Sequence, residues 1–201
     1  MSTLTLSYTF PSSAQGWSWT STTGGTYLTA GWTGSDGNPA GCLAVVQSGA
    51  AISESDGRWS LGGTWESFGV PAFSTITQVQ ITNIDEEGTS LVAGGAAGPY
   101  ELSDGSTSQA TILASNGFDP GTTAWASRSG SAVAVPTGLQ PSSSTIAFWL
   151  LNSLGAPGNG GGTVSLDNLS IKITYTTGGP PASPRVMVAT SSVAQTMRWL
   201  D

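Results

Sequence analysis

The stretch that decides the fold is Val164-Ser165-Leu166-Asp167-Asn168-Leu169-Ser170-Ile171-Lys172-Ile173-Thr174-Tyr175, residues 164–175 of the chain. Apolar and polar residues alternate on each side of Asp167-Asn168, and the alternation changes phase across this pair. Period-two alternation is typical of a strand with one buried face, and a phase change requires a bulge. The sequence therefore predicts a long strand, bulged at Asp167-Asn168, near the end of a β-domain.

The same alternation recurs along the chain. At the amino terminus, apolar residues at positions 4, 6, 8 and 10 alternate with Ser and Thr and are followed by Pro11, which predicts a strand that ends there. Within the predicted strand 145–151, residues 146–151 are apolar on both alternating sets, so both faces of that strand are expected to be buried or to lie in an interface. Further short strands are predicted at residues 27–32, 41–47, 58–61, 75–84, 110–114 and 131–135. About nine strands separated by turns are typical of a β-sandwich.

Turn residues separate these strands. Ser35-Asp36-Gly37-Asn38-Pro39, Ser55-Asp56-Gly57 and Pro157-Gly158-Asn159-Gly160 carry the side chains that favour tight turns. Asp85-Glu86-Glu87-Gly88 follows a predicted strand, and its charge predicts an exposed loop that faces solvent.

The carboxy-terminal residues 177–201 do not continue the strand pattern of the β-domain. Gly and Pro in residues 177–184 cannot continue a strand ladder, so this segment is predicted to be a linker. Residues 185–201 then form a predicted arm, a strand followed by a short helix, which docks on its own domain or on a neighbour because so short a helix is marginal in water. Its interface residues are predicted to be Val186, Val188, Met197, Arg198, Trp199 and Leu200.

Composition excludes several classes of function. Only 8% of the residues are charged, against about a quarter in an average domain. Five scattered cations against 12 acidic residues give a net charge of −7, so neither nucleic acid nor an anionic membrane surface is an expected partner. With no His and one Cys, Cys42, the chain cannot build His/Cys zinc sites or Ser-His-Asp and Cys-His nucleophiles. The longest apolar run, residues 146–151, is too short for membrane insertion.

Three short motifs resemble the jelly-roll sandwiches of the galactose-binding-like class, which includes many carbohydrate-binding modules. They are residues 7–10, SYTF; residues 35–43, SDGNPAGCL; and residues 165–171, SLDNLSI. The resemblance implies an all-β, antiparallel jelly-roll β-sandwich over residues 1–176. It also implies a calcium ion held by Asp36, Asp167 and backbone carbonyls, although Asn168 stands where the family has a second acidic residue.

Tryptophans are the candidate binding residues. Trp17 and Trp19 make the best exposed pair, and with Trp125 they are the predicted carbohydrate-binding residues, because a flat aromatic face covers the apolar face of a sugar ring. The alternative is that they fill the core or an interface. Glycosidase chemistry needs two paired carboxylates; Glu54, Glu66 and Glu101 show no such pairing in sequence, so no catalytic residue is predicted.

Two functions remain open, with a third behind them. A charge-poor Gly/Ser/Thr-rich sandwich with an arm looks like bacteriophage virion proteins, which predicts a non-catalytic capsid decoration or tail-associated protein. Such a protein would assemble with itself and other virion proteins and would display a glycan-binding face. The alternative is a carbohydrate-binding module of an extracellular polysaccharide-degrading enzyme. A jelly-roll glycoside lyase or hydrolase is the third reading. No cofactor besides calcium is expected.

Overall fold

The structure is a computed structural model that describes residues 1–10, 12–23, 28–33, 41–47, 55–89, 91, 94–119, 124–154 and 162–179. Within these ranges it contains two antiparallel sheets and a short 3-10 helix, Thr137–Leu139. No helix in the described ranges has the length and apolar character needed to cross a membrane. The predicted all-β jelly-roll sandwich is confirmed.

The first sheet has seven strands and is built around the segment quoted above. Its strands are β1 (Ser2–Tyr8), β3 (Leu28–Thr33), β4 (Cys42–Gln47), β6 (Ser74–Thr89), β10 (Ala126–Arg128), β11 (Val133–Ala134) and β13 (Gly162–Thr177). One edge of β13 pairs with β4 and then β1, and its other edge pairs with β6. β13 is therefore the central strand of this sheet.

The second sheet has six strands. They are β2 (Ser18–Thr23), β5 (Ser55–Thr64), β7 (Gly95–Ser103), β8 (Ser108–Leu113), β9 (Asn116–Phe118) and β12 (Thr145–Leu154). β12 lies in the middle, between β5 and β7. As its sequence predicts, β12 is buried on both faces over residues 146–150.

The core lies between the sheets and follows the alternation of the central strands. From β13 and β12 it takes Val164, Leu166, Leu169, Ile171, Ile173, Ile146, Phe148 and Leu150. The phase change predicted at Asp167-Asn168 is confirmed, because the pairing register of β13 with β6 shifts between Asp167 and Ser170. Asn168 has a φ of 51°, a conformation that Asn tolerates better than most residues. The bulge returns Leu169 to the core face.

The expectation that Asp85-Glu86-Glu87-Gly88 is a solvent loop is wrong. These residues belong to β6 and pair with β13, and Glu86 is 0% exposed. The charge is tolerated because partners surround it. Arg128 donates through Nη1 to both carboxylate oxygens at 3.0 and 3.1 Å, Asn116 donates through Nδ2 at 3.0 Å, and the Tyr100 hydroxyl also donates.

This Glu86 cluster (Glu86, Tyr100, Asn116 and Arg128) connects the sheets. Glu86 and Arg128 belong to the seven-stranded sheet, and Tyr100 and Asn116 belong to the six-stranded one. Arg128 adds a second link through Nη2, which donates to the Ala114 carbonyl at 2.8 Å. Removing Arg128 leaves a buried unpaired carboxylate, and removing the Glu86 charge leaves a partly buried unpaired cation, so the cluster is sensitive to the loss of either partner.

Glu86→Gln is expected to lower the free energy of unfolding by about 3 kcal/mol, the lower end for a broken buried ion pair, since the Arg128 side chain remains 22% exposed. Urea denaturation followed by tryptophan fluorescence measures the loss. Glu101→Gln, on the outer face of β7, is the control and should stay within about 0.5 kcal/mol of the parent chain. A parental midpoint for Glu86→Gln would contradict the role given to the cluster.

Stability is expected to fall as the pH rises above about 10. Burial, followed by the neighbouring Glu86 carboxylate, raises the pKa of Tyr100 well above 10.0, and burial also raises the pKa of Tyr8. In the unfolded chain tyrosine ionises near pH 10, so the unfolded state loses protons first and is favoured at higher pH. Urea midpoints between about pH 8 and 11 measure the slope. Tyr100→Phe should reduce the dependence of the urea midpoint on pH to the part that is due to Tyr8. An unchanged dependence would show that Tyr100 is not its cause.

Candidate functional site

The outer face of the six-stranded sheet carries charged and aromatic side chains. Trp59 of β5 and Leu150 of β12 belong to the core. Because successive side chains of a strand point to opposite faces, Arg58 and Trp149 lie on the outer face. Pairing places Arg58 opposite Leu151, and it places Trp149 between Ser60 and Glu101.

A cavity of about 420 Å³ lies at the end of this sheet where β2, β5, β12 and β7 come together. Its size is within the range of small-molecule sites, roughly 300–1,000 Å³. The lining residues are Thr22, Asp56, Gly57, Arg58, Ala96, Gly98, Pro99, Ser115, Leu151, Asn152 and Ser153. Charged, amide, hydroxyl and apolar groups therefore face one compact space.

Arg58 and Trp149 form a stack beside the cavity. The guanidinium carbon lies 3.7 Å from the centre of the Trp149 ring, a close cation–π contact. Trp149 is 5% exposed although it lies on the outer face. The Nε atom of Arg58 is buried without a hydrogen-bond partner in the described part of the chain. The aromatic ring thus holds the guanidinium in place without using its N–H groups.

Two further residues that line the cavity have buried side-chain atoms without hydrogen-bond partners among the described residues. Asp56 Oδ1 is buried and has no hydrogen-bond partner among the described residues. Asn152 is 2% exposed, and neither its amide nitrogen nor its amide oxygen has a partner there. An unsatisfied buried polar group costs about 1–3 kcal/mol. Asn152 lies between the core residues Leu150 and Leu154 on β12, so its side chain is on the core face, whereas Asp56 and Arg58 are on the outer face. Two unsatisfied charged side chains beside one cavity are more characteristic of a binding site than of a stabilising wall.

The prediction that Ser55-Asp56-Gly57 is a turn is wrong, because these residues begin β5. Gly57 is needed for packing: a Cβ atom at this position would lie 2.1 Å from Cζ2 of Trp19 and 2.9 Å from the Thr20 carbonyl oxygen. Glycine inside a strand often marks a close approach of this kind. The strand places Asp56 and Arg58 on the same face.

The three predicted sugar-binding tryptophans are not brought together. Trp17 is 5% exposed and packs edge-on against Tyr8, with ring centres 5.9 Å apart. Trp19 packs against Trp59 at 5.4 Å. Trp125 is partly exposed and precedes β10 in the other sheet. The expectation that Trp17 and Trp19 form an exposed pair is wrong, because Trp17 is buried in the core and Trp19 is partly buried against it. Their role in sugar binding stays a prediction.

The predicted calcium site is only partly within the described ranges. Asp167 is 0% exposed, and its Oδ1 accepts the backbone N–H of Phe10 at 3.1 Å. Among the described residues there is no group of three or more His, Cys, Asp or Glu side chains that could hold a metal ion. Asp36 lies outside the described ranges, so the calcium site stays a prediction.

The remaining candidates fall on different parts of the chain. The arm of residues 185–201, with all its predicted interface residues, lies outside the described residues, and so does Glu54. Glu66 is exposed and accepts a hydrogen bond from the Ser142 hydroxyl at 3.2 Å, whereas Glu101 is half-buried on the outer face of β7.

Sequence reasoning missed Asp56, Arg58, Trp149 and Asn152. A signal for two of them was present. Trp149 occupies the second apolar face of residues 145–151, and Arg58 precedes a tryptophan in a predicted strand. Their proximity depends on the pairing of β5 with β12, which joins residues about ninety positions apart in the chain, and a single sequence does not show such pairing.

The sandwich is similar to several solved structures. It aligns with the C-terminal family 22 carbohydrate-binding module of Clostridium thermocellum Xyn10B with a TM-score of 0.51 and 10% identity, over 83% of this chain and 91% of that chain. The mannan-recognising carbohydrate-binding module TmCBM27 aligns with a TM-score of 0.49 and 12% identity, over 87% and 99%.

The enzymatically active domain of bacteriophage CBA120 tailspike protein 4 aligns with a TM-score of 0.41 and 8% identity, over 79% of this chain and 19% of that chain. Neither a scan of protein-family models nor a search of curated proteins gives a match. The similarity to the family 22 module shows the fold, a β-sandwich of the type found in carbohydrate-binding modules.

Gly57→Ala is expected to destabilise the chain by about 1–3 kcal/mol, because the added methyl group overlaps the Trp19 ring. Denaturation midpoints measure the loss, and a shift in tryptophan emission should accompany it. Gly62→Ala is the matched control: it lies on the same strand, and its nearest heavy atom is 4.0 Å from the new Cβ. Equal stabilities for the two variants would refute the close packing at Gly57.

Proposed function

We propose that this chain is a non-catalytic carbohydrate-binding module that holds a saccharide in the cavity on the six-stranded sheet. The observation that carries the proposal is the cavity itself, which is lined by Asp56 and Arg58, because both side chains have buried polar atoms without partners among the described residues. A module of this kind is proposed to act outside the cell, attached to or beside a polysaccharide-degrading enzyme.

The chemistry of the lining matches the chemistry of sugars. A hydroxyl group both donates and accepts a hydrogen bond, so it pairs with an acceptor such as the Asp56 carboxylate and with a donor such as the Arg58 guanidinium. Leu151 and Pro99 supply apolar surface for the C–H groups of a ring. A few polar groups among apolar lining residues set the orientation of a ligand within a site.

The comparisons support the same proposal at the level of fold. In the family 22 module of Xyn10B, conserved residues in a cleft have a role in ligand binding, and that module has the same sandwich fold as this chain. At 10% identity that similarity carries over no binding residue. The site residues proposed here are therefore argued from this chain's own contacts.

The virion structural role remains a prediction from sequence. It depends on the arm of residues 185–201, which lies outside the described ranges. Self-association and contacts with other virion proteins, the partners that such a role requires, are likewise proposals. A glycan-binding face is common to both readings, so the cavity is the feature to test first.

Binding to a glycan array, followed by calorimetry with the best ligand, tests the proposal. Asp56→Ala should weaken binding about tenfold to a hundredfold, as expected for the loss of a hydrogen bond to a charged group. Gln78→Ala, an exposed position on the opposite sheet, is the control and should bind as the parent does. If no saccharide on the array binds, the proposed function fails. If a sugar binds and Asp56→Ala has no effect, the site lies elsewhere.

A further inference from the structure

The two arginines within the described ranges are used in opposite ways. Arg128 is committed to the fold: its guanidinium pairs with both oxygens of Glu86 and with the Ala114 carbonyl. Arg58 makes no side-chain hydrogen bond or ion pair in the described part of the chain, and its recorded contact is the Trp149 ring. Asp56 lies two positions away on the same strand face, yet the two form no salt bridge. Arg58 is therefore not explained by a structural role of the kind that Arg128 has.

The atoms of Arg58 that remain available are its terminal nitrogens. Nε is buried without a partner, whereas the two Nη nitrogens are not among the buried unsatisfied atoms. Because Arg58 lines the cavity, these nitrogens can donate to whatever occupies it. Contact with the face of Trp149 leaves the edge of the guanidinium, where its N–H groups point, free to bind a ligand.

We infer that the saccharide bound in this cavity carries a carboxylate, as a uronic acid residue does, and that Arg58 is the residue that recognises it. The inference rests on the proposed function. A planar guanidinium held by an aromatic ring offers two parallel N–H groups, the geometry that matches the two oxygens of a carboxylate. A neutral hydroxyl uses only one of them.

Asp56 selects a sugar acid over a simple anion. Its carboxylate faces the same cavity and needs a hydrogen-bond donor. Sulfate or acetate brings negative charge but no hydroxyl donors, so Asp56 repels it. A uronic acid residue supplies both a carboxylate for Arg58 and ring hydroxyls for Asp56. With a net charge of −7, the chain gives an anion no long-range attraction, so recognition depends on these short contacts.

Matched sugars test the inference by titration, with dissociation constants measured by ligand-observed NMR. The pairs are D-galacturonate with D-galactose, D-glucuronate with D-glucose and D-mannuronate with D-mannose, which differ only at carbon 6. At least one uronate should bind ten times more tightly than its neutral partner. Arg58→Gln should remove this preference, and Arg58→Lys should keep only part of it, since an ammonium group cannot form the paired contact.

Two controls separate charge from contact and folding from binding. Lys172→Gln removes one positive charge from β13 of the other sheet, so it matches the charge change of Arg58→Gln and should leave the preference intact. Tryptophan emission and the unfolding midpoint establish that each variant is folded. Sodium sulfate and sodium acetate, each titrated against bound uronate, distinguish a sugar-acid site from a general anion site.

Each outcome then has a distinct meaning. Equal binding of uronates and neutral sugars overturns the inference and leaves the proposed function standing. A preference that persists in Arg58→Gln removes Arg58 from the role. Displacement by sulfate or acetate at the same concentration as by the uronate also overturns the inference, since it reduces the cavity to an anion site. If none of the matched sugars binds in the titrations and no saccharide on the array binds, the proposed function itself fails.

Discussion

The buried carboxylate of Glu86 is the constraint on which the sandwich depends. It belongs to β6, but its partners come from both sheets, so the two layers cannot separate or slide without exposing or orphaning a charge. Hydrophobic burial holds the layers together without direction, whereas this cluster fixes which residues face each other. The Glu86 cluster therefore sets the relative position of the two sheets as much as the core does. It also sets the position of β7 beside the cavity.

The sequence was sufficient where structure depends on neighbours along the chain. Alternation predicted β13 with its bulge, and it predicted the doubly buried β12, because the period of a strand is a local property. It failed at Glu86, where charge suggested solvent but the neutralising Arg128 lies 42 residues away. It failed again at Gly57, which resembles a turn residue until the Trp19 ring is placed against it.

The candidate site likewise depends on contacts between distant residues that the sequence does not show. The tryptophans predicted a binding site at Trp17 and Trp19, but Trp17 belongs to the core and Trp19 packs against it through Trp59. Aromatic content alone does not distinguish a sugar-binding residue from a core residue. The informative residue is Arg58, one of only 5 cations in the chain. What distinguishes it is that, among the described residues, its guanidinium contacts an aromatic ring but has no hydrogen-bond or salt-bridge partner, which a sequence alone does not show.

The alternation of β5 has a consequence for how such a site can change over evolutionary time. Asp56 and Arg58 are separated by Gly57, which the core packing requires, and Arg58 is followed at once by the core residue Trp59. Substitutions on the ligand side therefore leave the interior untouched, and new specificities are accessible through single replacements. An inserted or deleted residue, by contrast, would exchange the two faces and place an arginine where Trp59 packs. Lineages of this fold should thus diversify their binding strands by substitution and keep length changes to the loops.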